Sequence, residues 1–149
     1  MGCYLGYQNI GIYYEEGEYV EKDYAKSIDY YKKAADLGSS LACYKLGLFY
    51  EKGEHIEKDL NKAFRYYEQS SNDRNINATY RLGLFYKNGI VVERNVYKAT
   101  ELFNKAAEGG DIDACDKMGD CYHFGICVEK NYEKAAYYLK RGAELKDPV

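Results

Sequence analysis

Cys115, Cys121, His123 and Cys127 are side chains of the kinds that hold zinc, since thiolates and imidazole are its ordinary protein ligands. Cys115 and Cys121 stand six residues apart, and on a helix that spacing turns them toward different faces. The only histidines, His55 and His123, fall in unrelated surroundings, one in a loop and one at a helix end. No serine-nucleophile motif, phosphate-cradling glycine loop or metalloprotease helix appears, so the spacings that such chemistry requires are missing. The adjacent carboxylates Glu15 and Glu16 read as a solvated helix surface rather than an acid–base pair. The residues lead us to expect no catalytic residue, no bound metal and no cofactor.

The organisation of the chain explains these residues better. Ile10-Gly11, Leu46-Gly47, Leu82-Gly83 and Met118-Gly119 recur at a step of 36 residues. Tyr14, Tyr50, Tyr86 and Tyr122 keep the same step, as do Gly17, Gly53, Gly89 and Gly125. So do the column Val20, Ile56, Val92, Val128, the column Asp23, Asp59, Asn95, Asn131, and the lysines Lys26, Lys62, Lys98 and Lys134. Four copies without an insertion are the signature of a repeat architecture. In this register Cys115 takes the place of Cys43, Cys121 that of Phe49 and Phe85, and Cys127 that of His55 and Val91. Cysteine in such places is a small hydrophobe.

Each column has a physical meaning. Ala42, Leu46, Phe49 and Tyr50 recur at i, i+4, i+7 and i+8, which makes one apolar face of a first helix. Gly47 and its equivalents lie inside that helix, where glycine costs about 1 kcal/mol relative to alanine. Close approach of a second helix is the expected compensation. Gly53 and its equivalents follow the last periodic residue, the place of a left-handed C-terminal cap. A loop held by the Ile56 column leads to Asp59, whose carboxylate suits an N-cap. A second helix then carries Ala63, Tyr66, Tyr67 and Ser70, and Gly38 and Gly110 end its counterparts, with Arg74 in that slot in the second copy.

The unit Ala42, Leu46, Gly47, Tyr50, Gly53, Ile56, Asp59, Lys62, Ala63, Tyr66, Tyr67 resembles the Sel1-like repeat, a relative of the tetratricopeptide repeat. Ala78, Leu82, Gly83, Tyr86, Gly89, Val92, Asn95, Lys98 and Ala99 follow the same pattern. The resemblance implies an all-α, right-handed α/α solenoid of four helix–loop–helix repeats that acts as an adaptor for protein complexes. It covers residues 4–145 as one solenoid domain, with repeats near 4–38, 39–74, 75–110 and 111–145. Departures are Gly6, Ser27, Ser70, Ser71 and Gly142, which we expect to soften the packing locally. Some bacterial members carry a disulfide from each second helix to the next first helix. The residues facing Cys43 and Cys115 in that scheme are Ala35 and Ala107, so it cannot form here.

In solenoids of this type the first helices line the concave face, which usually binds. Helical phase turns positions 41, 44, 45, 48, 51 and 52, with their equivalents, away from Leu46 and Tyr50. The side chains singled out for partner binding are Leu41, Tyr44, Lys45 and Leu48, then Tyr80, Arg81, Leu84 and Lys87, with Lys117 continuing the basic column. Asp116 and Asp120 turn the last copy acidic. Tyrosine and leucine beside a positive side chain suit a peptide with apolar anchors and a carboxylate. Tyr44 and Tyr80 are informative because Gln8 and Asp116 take their places in the outer copies.

Composition bounds the rest. The chain has 149 residues, 46% of them apolar, and a formal net charge of -3, so nothing draws it to nucleic acid or an anionic membrane. A single proline, Pro148, leaves its helices uninterrupted, and nineteen tyrosines imply wide surfaces with a polar tip. The first charge is Glu15, without the basic start of a signal peptide. Met1-Gly2-Cys3 resembles a myristoylation start, but Gly6 stands where serine or threonine is needed. Five cysteines without a secretory signal suggest free thiols in a reducing, cytoplasmic setting. Neither terminus carries a polar capping helix, so a weak homo-oligomer stacked through the end faces is the alternative expectation.

Overall fold

A computed structural model describes residues 3–147. Met1 and Gly2 of the myristoylation-like start, and Pro148, lie outside the described residues. The helices run α1 Tyr4–Glu16, α2 Tyr24–Asp36, α3 Ser40–Lys52, α4 Leu60–Asn72, α5 Ile76–Asn88, α6 Val96–Glu108, α7 Ile112–Phe124 and α8 Tyr132–Lys146. Two compact units divide the chain after Asn75: α1 to α4 form the first and α5 to α8 the second. Within each unit consecutive helices pack on one another, making four tandem helix–loop–helix repeats of an all-α solenoid.

Both helix ends are fixed by the columns expected to fix them. The side chains of Asp23, Asp59, Asn95 and Asn131 accept the backbone N–H three residues on, at the first turns of α2, α4, α6 and α8. Each satisfies one of the donors that a helix start leaves open. The glycines 17, 53, 89 and 125 are left-handed, at φ 71°, 68°, 65° and 73°. Between cap and cap the chain is pinned by one recurring bond, from the N–H of the N-cap residue to the carbonyl of Tyr14, Tyr50, Tyr86 or Tyr122. The same tyrosines explain the lysine column. Tyr14, Tyr50 and Tyr122 stack on Tyr30, Tyr66 and Tyr138 at 5.8–5.9 Å between centroids. Lys26, Lys62 and Lys134 lie over the rings of Tyr14, Tyr50 and Tyr122 at 5.2–5.3 Å, a cation–π arrangement.

The helical glycines sit where expected, under the second helix of their own repeat. A Cβ on Gly11, Gly47 or Gly83 would come within 2.5–2.8 Å of the ring of Tyr31, Tyr67 or Phe103. On Gly119 it would meet Leu139 at 2.6 Å. The core of the first unit gathers Ile28, Tyr31, Ala34, Ala42, Cys43 and Leu46; that of the second gathers Phe103, Ala106, Ala107, Cys115, Met118 and Tyr138.

Two expectations are corrected. Ser27 and Ser70 do not soften the packing, because both are buried and hydrogen-bonded. Ser27 Oγ donates to the Gly11 carbonyl at 2.8 Å, and Ser70 Oγ to the Ser40 carbonyl at 2.7 Å. Nor is Glu15 merely solvated; its partners are described below. The chain also takes left-handed backbone without glycine at Arg74, Val91 and Cys127 (φ 66°, 68° and 57°). Val91 is the costliest of these, since a β-branched side chain crowds the carbonyl there.

Candidate functional site

In the first unit the first-helix face is built around one carboxylate. Glu15, at the end of α1, accepts a hydrogen bond from the Tyr31 hydroxyl on α2 and an ion pair from Lys45 Nζ on α3 at 3.0 Å. Burial, then Glu15 itself, pushes the Tyr31 phenol far above its ordinary value, so it remains a donor to the carboxylate. Glu51 accepts from the Tyr67 hydroxyl in the same way. A cavity of about 150 Å³ opens beside the Glu15–Lys45 pair, lined also by Tyr24, Leu48, Phe49, Lys52, Glu54 and His55. His55 stacks flat on Tyr24, with ring centroids 3.7 Å apart.

The expected partner-binding residues of this unit divide. Leu41 packs against the core cluster and belongs as much to the fold as to the face. Tyr44 is half-buried, its ring 6.1 Å from that of Tyr67. Leu48 lines the cavity. Lys45 is present on the face, but its charge is already met by Glu15. The tyrosine at position 31 or 67 and the glutamate sixteen residues before it recur together; that pairing was the available signal for Glu15, and column-by-column comparison passes over it.

In the second unit Tyr80 and Leu84 of α5 are half-buried against the core cluster, Tyr80 with its ring 5.5 Å from Phe103. Burial first, then Asp113 and Asp111, raises the Tyr80 phenol. Arg81 is half-buried on α5, where its charge acts on Tyr80 and Asp111. Asp111 caps α7, accepting the Ala114 N–H at 2.8 Å, and its carboxyl is raised mainly by burial. Lys87 is exposed at the end of α5 and Lys117 half-buried on α7. Asp116, expected to turn this copy acidic, is paired with Lys146 at 3.0 Å.

Cys43, Cys115 and Cys121 are buried, Cys127 is half-buried and Cys3 exposed, all as free thiols. Burial pushes Cys43 up to about 11 and raises Cys115 and Cys121 as well, which leaves these thiols protonated and unreactive. Among the described residues no three His, Cys, Asp or Glu side chains are placed to share a metal ion, and no helix is long and apolar enough to cross a membrane.

Helix pairs whose second helices are capped alike and whose loops close in the same way define an α/α tandem-repeat protein, a fold typical of protein–protein interaction modules. The Sel1 repeat model matches residues 4–39, 40–75, 76–111 and 112–147, and the chain belongs to the Sel1 repeat family. A Sel1 repeat protein from Oxalobacter formigenes is 30% identical, with a TM-score of 0.88 over 97% of this chain and 59% of that one. The protective antigen c5321 of uropathogenic Escherichia coli, which displays the same repeat fold, is 29% identical, with a TM-score of 0.86 over 96% of this chain and 31% of that one. Cysteine-rich protein B of Helicobacter pylori is 30% identical, with a TM-score of 0.64 over 75% of this chain and 86% of that one. This chain therefore spans less than two thirds of the first two relatives. No curated protein matches it.

Proposed function

We propose that the chain is a non-enzymatic adaptor that takes a peptide or protein partner on its first-helix faces, with residues 4–145 acting as one solenoid domain. The contrast between helix faces carries this reading. The exposed positions of α4 are Asn61, Lys62, Arg65, Glu68, Gln69 and Asn72, an ordinary solvated surface. On α3 the outward positions hold Tyr44 and Leu48, and on α5 Tyr80 and Leu84, all half-buried and apolar. Apolar side chains kept at half burial beside a complete core suit a partner with apolar anchors. Free thiols throughout suit a cytoplasmic setting.

The test is affinity capture from native lysate with wild-type, Leu48→Arg/Leu84→Arg and Lys62→Glu/Arg65→Glu baits, matched for helicity by circular dichroism. Partners lost with the leucine variant alone support the assignment. Partners kept by that variant, or lost with the charge variant, remove it.

A second reading rests on the last helix. Leu139 is 44% exposed, whereas Tyr31, Tyr67 and Phe103 in the same place are at 0%, 0% and 3%. Tyr132, seven residues earlier on the same face of α8, is 61% exposed, and the two present an open apolar surface for stacking of a second copy. Light scattering decides: a mass that stays at one chain across concentrations sinks this reading.

A further inference from the structure

Residues 15, 51, 87 and 123 share one place at the end of the first helix and read Glu, Glu, Lys and His. The place that Glu15 and Glu51 meet on the second helix holds Tyr31 and Tyr67, and reads Phe103 and Leu139 in the other two copies. In the first unit this place is a satisfied carboxylate, with the Tyr31 hydroxyl and Lys45 both bound to Glu15. In the second unit both members have changed. Phe103 has no hydroxyl to donate and Lys87 has no carboxylate to accept. The following first helix, α7, nevertheless keeps a base, because Lys117 stands where Lys45 stands. Lys87 and Lys117 therefore hold the places of Glu15 and Lys45 with like charges, and neither forms an ion pair within 4.0 Å among the described residues. Lys87 reaches α7 electrostatically, since its charge acts on the Cys121 thiol. Asp120, in the place of Leu48, acts on the same thiol.

We propose that Lys87 and Lys117 form a subsite for an aspartate or glutamate side chain of the partner, its carboxylate standing where Glu15 stands in the first unit. This rests on the reading of the first-helix face as the binding surface. Leu84, one helical turn before Lys87, supplies the apolar contact beside it. A carboxylate is the matching ligand because the equivalent place in the first unit is already built around one, that of Glu15 held by Lys45. Lysine suits this role because its ammonium acts as a compact charge that several geometries can reach.

The probe is a randomised library of N-acetylated dodecapeptides, C-amidated in one arm and with a free C-terminus in a second. It is selected on wild type, on Lys87→Glu/Lys117→Glu and on Leu48→Arg/Leu84→Arg, with circular dichroism showing all three equally helical. Wild type is expected to enrich Asp or Glu at one fixed spacing from an apolar residue. The charge-reversed protein is expected to lose that enrichment in favour of Lys or Arg. A single enriched peptide should lose about tenfold in affinity when its acidic residue becomes the amide, and little more when Lys117→Gln is added. Enrichment with no acidic position, or an acidic position unmoved by charge reversal, overturns the subsite and leaves the face reading intact. Enrichment that returns only with peptides bearing a free C-terminus overturns the side-chain assignment. No enrichment on wild type, or enrichment untouched by the leucine variant, overturns the face reading and this inference with it.

Discussion

Replacing helical glycines by alanine separates close approach from mere helix weakness, because the sites differ in what the new methyl meets. At Gly47 the Cβ would lie 2.5 Å from Tyr67 Cε1 and 2.7 Å from Cδ1. That ring is fully enclosed and its hydroxyl is held by Glu51, so it cannot turn aside without leaving its bond. Overpacking of this kind costs about 1–3 kcal/mol, and a site this rigid belongs at the upper end. Alanine returns about 1 kcal/mol of helix propensity, which leaves Gly47→Ala less stable by about 2 kcal/mol. The melting temperature should fall by about 4–8 °C. At Gly119 the methyl would meet Leu139 at 2.6 Å, but Leu139 is 44% exposed and free to swing outward. Gly119→Ala should therefore come out near neutral. Gly6 has nothing within 4 Å of its Cβ, so Gly6→Ala should stabilise the protein by about 0.4–1 kcal/mol. Far-UV circular dichroism of the three variants through thermal and urea unfolding gives the order. If Gly47→Ala matches Gly6→Ala, the ring yields and close approach does not explain the glycine column.

Lys87→Glu should raise the melting temperature by about 1–3 °C relative to Lys87→Gln, since it can pair with Lys117 as Glu15 pairs with Lys45; no difference between them would show that the two places are not equivalent. The Lys26 N–H bonded to Asp23 holds its carboxyl below the usual range. The ionised cap thus contributes stability at neutral pH that is lost as pH falls through its folded-state value. The stability gap between wild type and Asp23→Asn should accordingly shrink below about pH 4, and a gap constant with pH would contradict the assignment. Iodoacetamide should label Cys3 on the native protein and reach Cys43, Cys115 and Cys121 only as it unfolds, which peptide mass mapping against urea concentration would follow; native labelling of Cys43 would refute its burial.

The elements that could be read in the sequence are those in which the same physical demand is made four times. A left-handed cap, a side chain to receive the first free N–H groups and a glycine under a ring leave vertical columns, and Gly53, Asp59 and Gly47 stand where those demands place them. Contacts between columns leave no such trace. Lys45 looked like a free base because its partner Glu15 is thirty residues away, in the preceding first helix. Ser27 looked like a worn alanine because its bond to the Gly11 carbonyl occurs in one copy. The left-handed Val91 could not be foreseen at all, since its residue type argues against that backbone. For the candidate face, helical phase found the half-buried tyrosines and leucines but not which charges were already spoken for.

That difference bears on Lys87. The exchange of Glu for Lys together with Tyr for Phe is what packing alone would require, because a buried hydroxyl deprived of its acceptor is costly. Stability therefore accounts for Phe103 once Lys87 is present. It does not account for Lys117. A carboxylate or a neutral side chain there would have removed like charges from the places of Glu15 and Lys45, and the equivalent positions show that the backbone accepts asparagine as well as lysine and arginine. Places where local chemistry runs against stability are where function is to be sought. A carboxylate brought by another molecule is the simplest partner that makes both lysines favourable at once.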